Sequence, residues 1–131
     1  WIERDDNTFA RKYWPIPGQK GLEHRIGGLE KDYETGNISS DPENHQLMTN
    51  IRRQKIERVA NNIPKQEIEG EATGDLLVIS WGGTYGATHM AVKALRDEGK
   101  KVSLIHLRYI SPMPTNIAEI IKGFKNIIVP G

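Results

Sequence analysis

Two short stretches carry residue types that could do chemistry. In the first, Glu23, His24 and Arg25 stand side by side between Gly18, Gly21 and Gly27-Gly28. An adjacent carboxylate and imidazole could form a hydrogen-bonded acid/base group; the plainer reading is a glycine-bounded turn whose charges face water. The second stretch is Trp81-Gly82-Gly83-Thr84-Tyr85-Gly86, between an apolar run and a helical pattern. A turn from a strand end into a helix N-terminus can hold an anion on its backbone amides. Gly82, Gly83, Thr84 and Gly86 would form that turn, and Arg108, at the end of the next apolar run, would supply a cation. The spacing is GGxxG rather than GxGxxG, no Lys-Ser/Thr pair follows as in a P-loop, and Arg108 stands where NAD sites carry an acid. An NADP-like use of Arg108 stays open beside the alternative that Gly82 and Gly83 turn the chain and Gly86 lets the helix approach the sheet. His24, His45, His89 and His106 show no ligand spacing such as HxxxH, so no metal is assigned. No residue is assigned a catalytic role.

The elements that must position these residues follow from periodicity. Leu76 to Trp81 is continuously apolar apart from Ser80, as in a strand covered on both faces. Ala87, Met90, Ala91, Ala94 and Leu95 recur at helical spacing and Gly99 supplies a stop. Lys101 to Tyr109 is strand-like again, so the two strands are expected to be parallel neighbours in a βαβ unit. Ser111 to Thr115 predicts a rigid turn into a second helix with apolar Ile117, Ala118, Ile120, Ile121 and Phe124, capped by Thr115 or the residue before it. A third strand is expected from Asn126. The fold class is therefore α/β with a parallel sheet.

Upstream, Asp41-Pro42-Glu43 is a helix start with Asp as the cap. That helix should run to Asn62, with Leu47, Met48, Ile51, Ile56, Val59 and Ile63 as an apolar stripe that packs on a neighbouring domain. Lys65 to Gly74 is a polar, acidic stretch that reads as a linker. Residues 1–42 show neither period and form an irregular arm. Its aromatics Trp1, Phe9, Tyr13, Trp14 and Tyr33 favour a segment lying on a partner over a disordered tail.

The 131 residues allow one domain and an extension, and Lys+Arg 18 against Asp+Glu 17 gives no reason to expect nucleic acid. Cysteine is absent, which excludes a disulfide, a thiolate cluster ligand and a cysteine nucleophile within this chain. No run approaches the roughly 18 apolar residues of a membrane span, and the start has no signal-peptide pattern. No membrane partner and a cytoplasmic location are the expectations. Trp1 at the start, and an apolar run reaching almost to the end, suggest a piece of a larger protein.

The series PIPGQKGLEHRIGGLEKDYETGNISSDPENHQLM, NIRRQKIERVANNIP, DLLVISWGGTYGATHMAVKALRDEGKKV, HLRYISPMPTN and FKNIIVP resembles the C-terminal part of the α subunit of 2-oxoacid:ferredoxin oxidoreductases, nearest to the 2-oxoglutarate type. The GLEH and DPENH motifs and the WGGTYGA turn followed by PMP are its most specific parts. The resemblance implies a truncated, three-layer αβα, transketolase C-terminal-like domain over 75–131. It also implies a linker at 65–74 and, over 1–64, the tail of a pyrimidine-binding domain with its connecting helix. It places Glu23 and His24 near a domain interface or an active-site approach. The implied reaction is oxidative decarboxylation of 2-oxoglutarate to succinyl-CoA with reduction of ferredoxin. Thiamine diphosphate, Mg²⁺ and an iron–sulfur cluster are implied elsewhere in the complex, with none held by this piece. Implied partners are a β subunit, other domains of the same enzyme, ferredoxin and CoA; pyruvate stays open as the substrate. The alternatives are a nucleotide- or CoA-binding α/β module using the Gly82–Gly86 turn and Arg108, and a transketolase- or dehydrogenase-type thiamine enzyme that shares the C-terminal fold.

Overall fold

The computed structural model describes Asp5 and residues 13–130. Trp1 and Phe9, counted among the aromatics of the arm, lie outside the described residues. Contacts divide the chain into a unit up to Arg58 and a unit from Val59 onward. No helix among the described residues is long and apolar enough to cross a membrane.

In the first unit, helix α1 spans Pro42–Arg58. Asp41 caps it, accepting from the amides of Glu43 at 3.3 Å and Asn44 at 3.1 Å, which satisfies two of the amides that a helix start leaves bare. The arm is not wholly irregular: Lys31 and Ile38 form an antiparallel bridge around a turn. Asp32 closes that turn by accepting from the amides of Glu34 and Thr35 and from the Thr35 hydroxyl. Buried Asn44 fastens the turn to α1, its carbonyl oxygen accepting from the Tyr33 amide at 2.9 Å and its amide donating to the Lys31 carbonyl at 3.0 Å. Glu30 receives a forked pair of bonds from Arg52 at 2.9 and 3.2 Å and another from His45 at 2.8 Å. The Arg52 and His45 bonds hold its carboxyl down at about 2. Non-local polar bonds of this kind have no periodicity, which is why the arm reads as featureless in sequence. On α1 the expected stripe is only partly covered: Ile51 is buried, while Leu47 and Ile56 are exposed.

The second unit opens with a 3₁₀ turn at Val59–Asn62, so the helical run ends where expected but its last turn is tightened. Strands β1 (Gly74–Trp81), β2 (Val102–Leu107) and β3 (Phe124–Ile128) form one sheet in the order β2-β1-β3. Both pairings are parallel, with Val78 opposite Leu104 on one side and Ile128 on the other. Helix α2 (Tyr85–Asp97) makes the first crossover and α3 (Ile117–Lys122) the second. Alternation along the strands sends Leu77, Ile79, Ile105 and Leu107 to the face with Ile117, Ile120 and Phe124. Val78, Val102 and Leu104 face Val92 of α2. Leu77, Leu104 and Ile105 are fully buried, each contributing about 1.5–3 kcal/mol of transfer free energy. The α/β class and the three-layer arrangement are as read from sequence.

Four details differ. Phe124 starts β3 rather than closing α3, so the strand begins ahead of Asn126. Asn116, not Thr115 or Pro114, occupies the N-cap of α3 and makes no side-chain cap bond. Its amide instead accepts from the Gln66 N–H at 2.9 Å and donates to the Gln66 carbonyl at 3.0 Å. The stretch 65–74, expected as a linker, is thereby tied to the sheet: Glu69 exchanges both backbone bonds with Leu104, at 2.8 and 2.9 Å, along the outer edge of β2. Finally, a Cβ on Gly86 would meet nothing within 4 Å, so no close approach of helix to sheet depends on it.

The close approaches lie elsewhere. A Cβ on Gly123 would stand 2.5 Å from the Ala72 carbonyl oxygen, and one on Gly70, at φ +123°, would stand 2.5 Å from Ser103 Oγ. Gly123→Ala, which overpacks against fixed backbone, and Gly70→Ala, which crowds Ser103 at a positive φ, are each expected to destabilise the protein by about 1–3 kcal/mol. Gly86→Ala, on helix α2 with open space around it, should be neutral or stabilising by about 0.5–1 kcal/mol. Denaturant melts of the three variants check this; equal effects would refute the packing argument.

Candidate functional site

The chemistry-bearing side chains of the second unit gather at the carboxyl ends of β1 and β2, where open parallel sheets commonly bind ligands. Ser80 and His106 occupy paired positions on β1 and β2, on the α2 side of the sheet. The fully buried Ser80 hydroxyl lies 2.8 Å from His106 Nδ1. Thr88 of α2 lies 3.2 Å from Ser80 Oγ and also bonds the carbonyls of Thr84 and Tyr85. Behind this hydroxyl relay the imidazole of His106 is fixed in orientation, one edge to Ser80 and the ring against Tyr85 at 5.0 Å, edge-on. Tyr85 also stacks at a tilt on His89, centroids 5.4 Å apart.

Glu69 completes the group. His89 Nδ1 lies 2.7 Å from Glu69 Oε2; a carboxylate only accepts, so Nδ1 carries the proton. The Tyr85 phenol is near enough to the same carboxylate to feel it. Burial works to raise the Glu69 pKa, but the bond from His89 and the Tyr85 phenol, with the charges of His89 and His106, outweigh it and hold the group below its ordinary range. The Tyr85 phenol moves the other way, pushed up by Glu69 and then by burial, against the opposing charge of Arg108. A tyrosine held protonated next to a carboxylate held ionised is a positioning arrangement, suited to fixing rings and donors.

These groups border a cleft of about 500 Å³ whose lining includes Lys65, Glu69, Tyr85, His106, Arg108 and Tyr109. Of the residues singled out from sequence, Arg108 is in that lining. Gly82, Gly83 and Thr84 form the 3₁₀ turn between β1 and α2, with Gly82 at φ +61° and the Thr84 hydroxyl donating to the Trp81 carbonyl at 2.8 Å. Gly86 follows in the first turn of α2. None of the four glycine-turn residues lines the cleft.

In the first unit, Glu23 Oε1 accepts from the Gly21 amide at 3.2 Å, and His24 Nδ1 donates to the Leu22 carbonyl at 2.8 Å. The backbone amides of Glu23 and Gly21 lower the Glu23 pKa. Both residues are exposed, and both bond their own turn. Among the described residues no group of three or more His, Asp or Glu side chains could hold a metal ion.

The residues passed over in sequence are Glu69, Ser80, Tyr85 and Thr88, with His89 and His106 weighed only as metal ligands. Ser80 was the available signal, a lone hydroxyl in an apolar strand opposite a lone imidazole. Glu69 gave none, because its place depends on pairing with a strand far along the chain.

Comparison with known proteins identifies the architecture. Residues 74–131 match the family model described as pyruvate:ferredoxin oxidoreductase core domain II. Along 97% of the chain the sequence is 43% identical to 2-oxoglutarate oxidoreductase subunit KorA of Mycobacterium tuberculosis. Over nearly its whole length the chain is similar to α subunits of 2-oxoacid:ferredoxin oxidoreductases. A second relative, 2-oxoacid:ferredoxin oxidoreductase 1, subunit alpha, of Aeropyrum pernix, is 27% identical over 84% of the chain. The chain spans only 19% and 18% of these two relatives. Among solved structures, 2-oxoglutarate:ferredoxin oxidoreductase from Magnetococcus marinus, with 2-oxoglutarate, coenzyme A and succinyl-CoA bound, matches 98% of the chain and 22% of its own. The TM-score is 0.79 and the identity 31%. The transketolase C-terminal-like fold expected for this α-subunit family is the fold observed.

Folding lowers the Glu69 pKa from its ordinary 4.5, so its bonds stabilise the unit fully above that value and the contribution is lost as pH falls through the folded pKa. Side chains of His89 and Glu69 are 41% and 38% exposed, and screening limits the pair to about 0.5 kcal/mol. Glu69→Gln is expected to cost about that at pH 7 and to remove the corresponding loss below pH 4. Urea melts across pH 3–7 test it; an unchanged pH profile in the variant would show that the pair contributes nothing.

Proposed function

We propose that the full-length protein is the α subunit of a thiamine-diphosphate-dependent 2-oxoacid:ferredoxin oxidoreductase. In this reading it converts 2-oxoglutarate oxidatively to succinyl-CoA, passing electrons to ferredoxin, and these 131 residues contribute structure and contacts rather than catalysis. The observation that carries the substrate is the 43% identity, over nearly the whole chain, to a subunit named for 2-oxoglutarate.

Thiamine diphosphate supplies the carbanion chemistry when bound. The residues here do not fit a cluster site: the chain has no cysteine, so a cysteine-held iron–sulfur cluster belongs to another part of the complex. We place thiamine diphosphate and Mg²⁺ elsewhere in the complex as well, and take the location as cytoplasmic. Residues 1–64 then form the tail of the pyrimidine-binding domain with its connecting helix, 65–74 the connection, and 75–131 the organising domain. Glu23 and His24 sit near a domain boundary or the approach to the active site. Exposed Ile127, Ile128 and Val129 on and after the outermost strand support an interface role, because contiguous apolar side chains on an unpaired edge call for a cover. The β subunit and the other domains of the enzyme are the partners this reading assigns.

The full-length α subunit coexpressed with its β subunit is expected to reduce ferredoxin or a viologen only when 2-oxoglutarate and CoA are both present. The 131-residue piece alone is expected to show no such activity. Reduction supported by pyruvate and not by 2-oxoglutarate would overturn the substrate, and activity of the isolated piece would overturn its structural role.

A further inference from the structure

Three side chains at the carboxyl ends of β1 and β2 are joined by hydrogen bonds whose protons can be counted. Thr88 Oγ1 lies 2.9 Å from the Thr84 carbonyl oxygen, 3.0 Å from that of Tyr85 and 3.2 Å from Ser80 Oγ. Ser80 Oγ in turn lies 2.8 Å from His106 Nδ1. Ser80 and Thr88 are both buried, so their hydroxyls find their partners within the protein. A carbonyl oxygen only accepts, and Thr88 has one proton, which therefore goes back to the preceding turn of α2, as is usual for a threonine inside a helix. The contact between Thr88 and Ser80 must then be made with the Ser80 proton. With that proton spent, Ser80 Oγ accepts from the ring, and Nδ1 carries the hydrogen. Were Ser80 to donate to a bare Nδ1 instead, the single Thr88 proton would have to serve both Ser80 and the carbonyls, and one of these contacts would set lone pair against lone pair.

We infer that Thr88 and Ser80 are positioning residues that fix His106 as the Nδ1–H tautomer and thereby present its Nε2 to the cleft as a hydrogen-bond acceptor. His106 lines the cleft, and Nε2 is not among the buried side-chain atoms that lack a partner, so it is the nitrogen on the open side of the ring. A neutral imidazole has one donor and one acceptor, and fixing the first fixes the second. What meets His106 Nε2 in the cleft is then an N–H or O–H donor. His89, on the other side of Tyr85, reaches the same tautomer through a different partner, its Nδ1 donating to Glu69. The inference rests on atoms of the second unit and is independent of the reading of function above.

The test is solid-state NMR of the full-length protein labelled with ¹⁵N-histidine, at about pH 8.5, where an ordinary imidazole with a pKa of about 6.5 is neutral. The His106 signals are identified by their loss in His106→Gln. Wild type is expected to show a protonated Nδ1 and an unprotonated Nε2, the latter resonating far downfield. Thr88→Val keeps the shape of the side chain and removes its oxygen, so Ser80 turns its proton to His106 and the ring hydrogen moves to Nε2. Thr88→Ser should restore the wild-type pattern. A wild type with the hydrogen on Nε2 would overturn the inference, and so would a pattern that Thr88→Val leaves unchanged, because the hydroxyls would not be what sets it. Access is read separately in the assembled oxidoreductase with diethyl pyrocarbonate, which acylates an unprotonated ring nitrogen, followed by mass spectrometry. Modification of His106 is expected in wild type and is lost in Thr88→Val, where the bare nitrogen faces buried Ser80. A wild-type His106 that resists the reagent would show Nε2 covered and remove its place in the cleft. Neither readout depends on turnover, so the tautomer and the activity stand or fall separately.

Discussion

Strand β2 has β1 on one side and, without the segment before β1, nothing on the other. Leu104 sits in the middle of that outer edge and is fully buried, so its outward N–H and C=O cannot reach water. Burying both unpaired would cost several kcal/mol. Glu69 satisfies both at once, and much of the second unit follows from that exchange. It fixes the register of residues 66–71 along β2, where Asn116 holds Gln66 and Ser103 donates to the Glu71 carbonyl at 2.9 Å. It also draws the chain so close that Gly70 has no room for a Cβ.

The same exchange builds the cleft. Backbone pairing to Leu104 leaves the Glu69 side chain within reach of α2, where His89 bonds it. Tyr85 then stands between His89 and His106, and the rings limit one another's motion. On the opposite flank of His106 the constraint is Ser80, whose own freedom is removed by Thr88. Two strands and an edge segment each contribute one member to this network, and α2 contributes Tyr85, Thr88 and His89. A shift of the edge segment by one residue would carry the Glu69 side chain to the other face and uncouple it from the helix.

What the sequence discloses and what it conceals divide along contact range. The βαβ unit was legible because Leu76 to Trp81, the helical spacing of Ala87 to Leu95 and the run around Leu104 are local patterns enforced by burial on two faces. Asp41 as the cap of α1 was legible for the same reason, since its partners are the next few amides. Glu69 was not: a polar, glycine-bearing stretch looks the same whether it crosses solvent or lies on a strand edge. Asn116 misled in the opposite direction, because a helix start invites a cap while its side chain serves Gln66, fifty positions earlier. Gly86 carried a packing role in the sequence reading that belongs to Gly70 and Gly123, whose crowding comes from residues distant in the chain.

For the glycine turn, proximity in sequence suggested a ligand site that the three-dimensional arrangement divides. Arg108 is in the cleft, whereas Gly82 to Thr84 form the turn into α2 outside its lining. Gly82, at φ +61°, accounts for its own type by the backbone it must adopt. The Thr84 hydroxyl is occupied by the Trp81 carbonyl. Recognition chemistry is therefore better sought in side chains at the strand ends than in the backbone of the turn. Two of those side chains are oriented by a partner: His106 by the buried Ser80 hydroxyl and Glu69 by His89. Orientation of this kind is what separates a cleft that can discriminate a ligand from a patch of exposed charge.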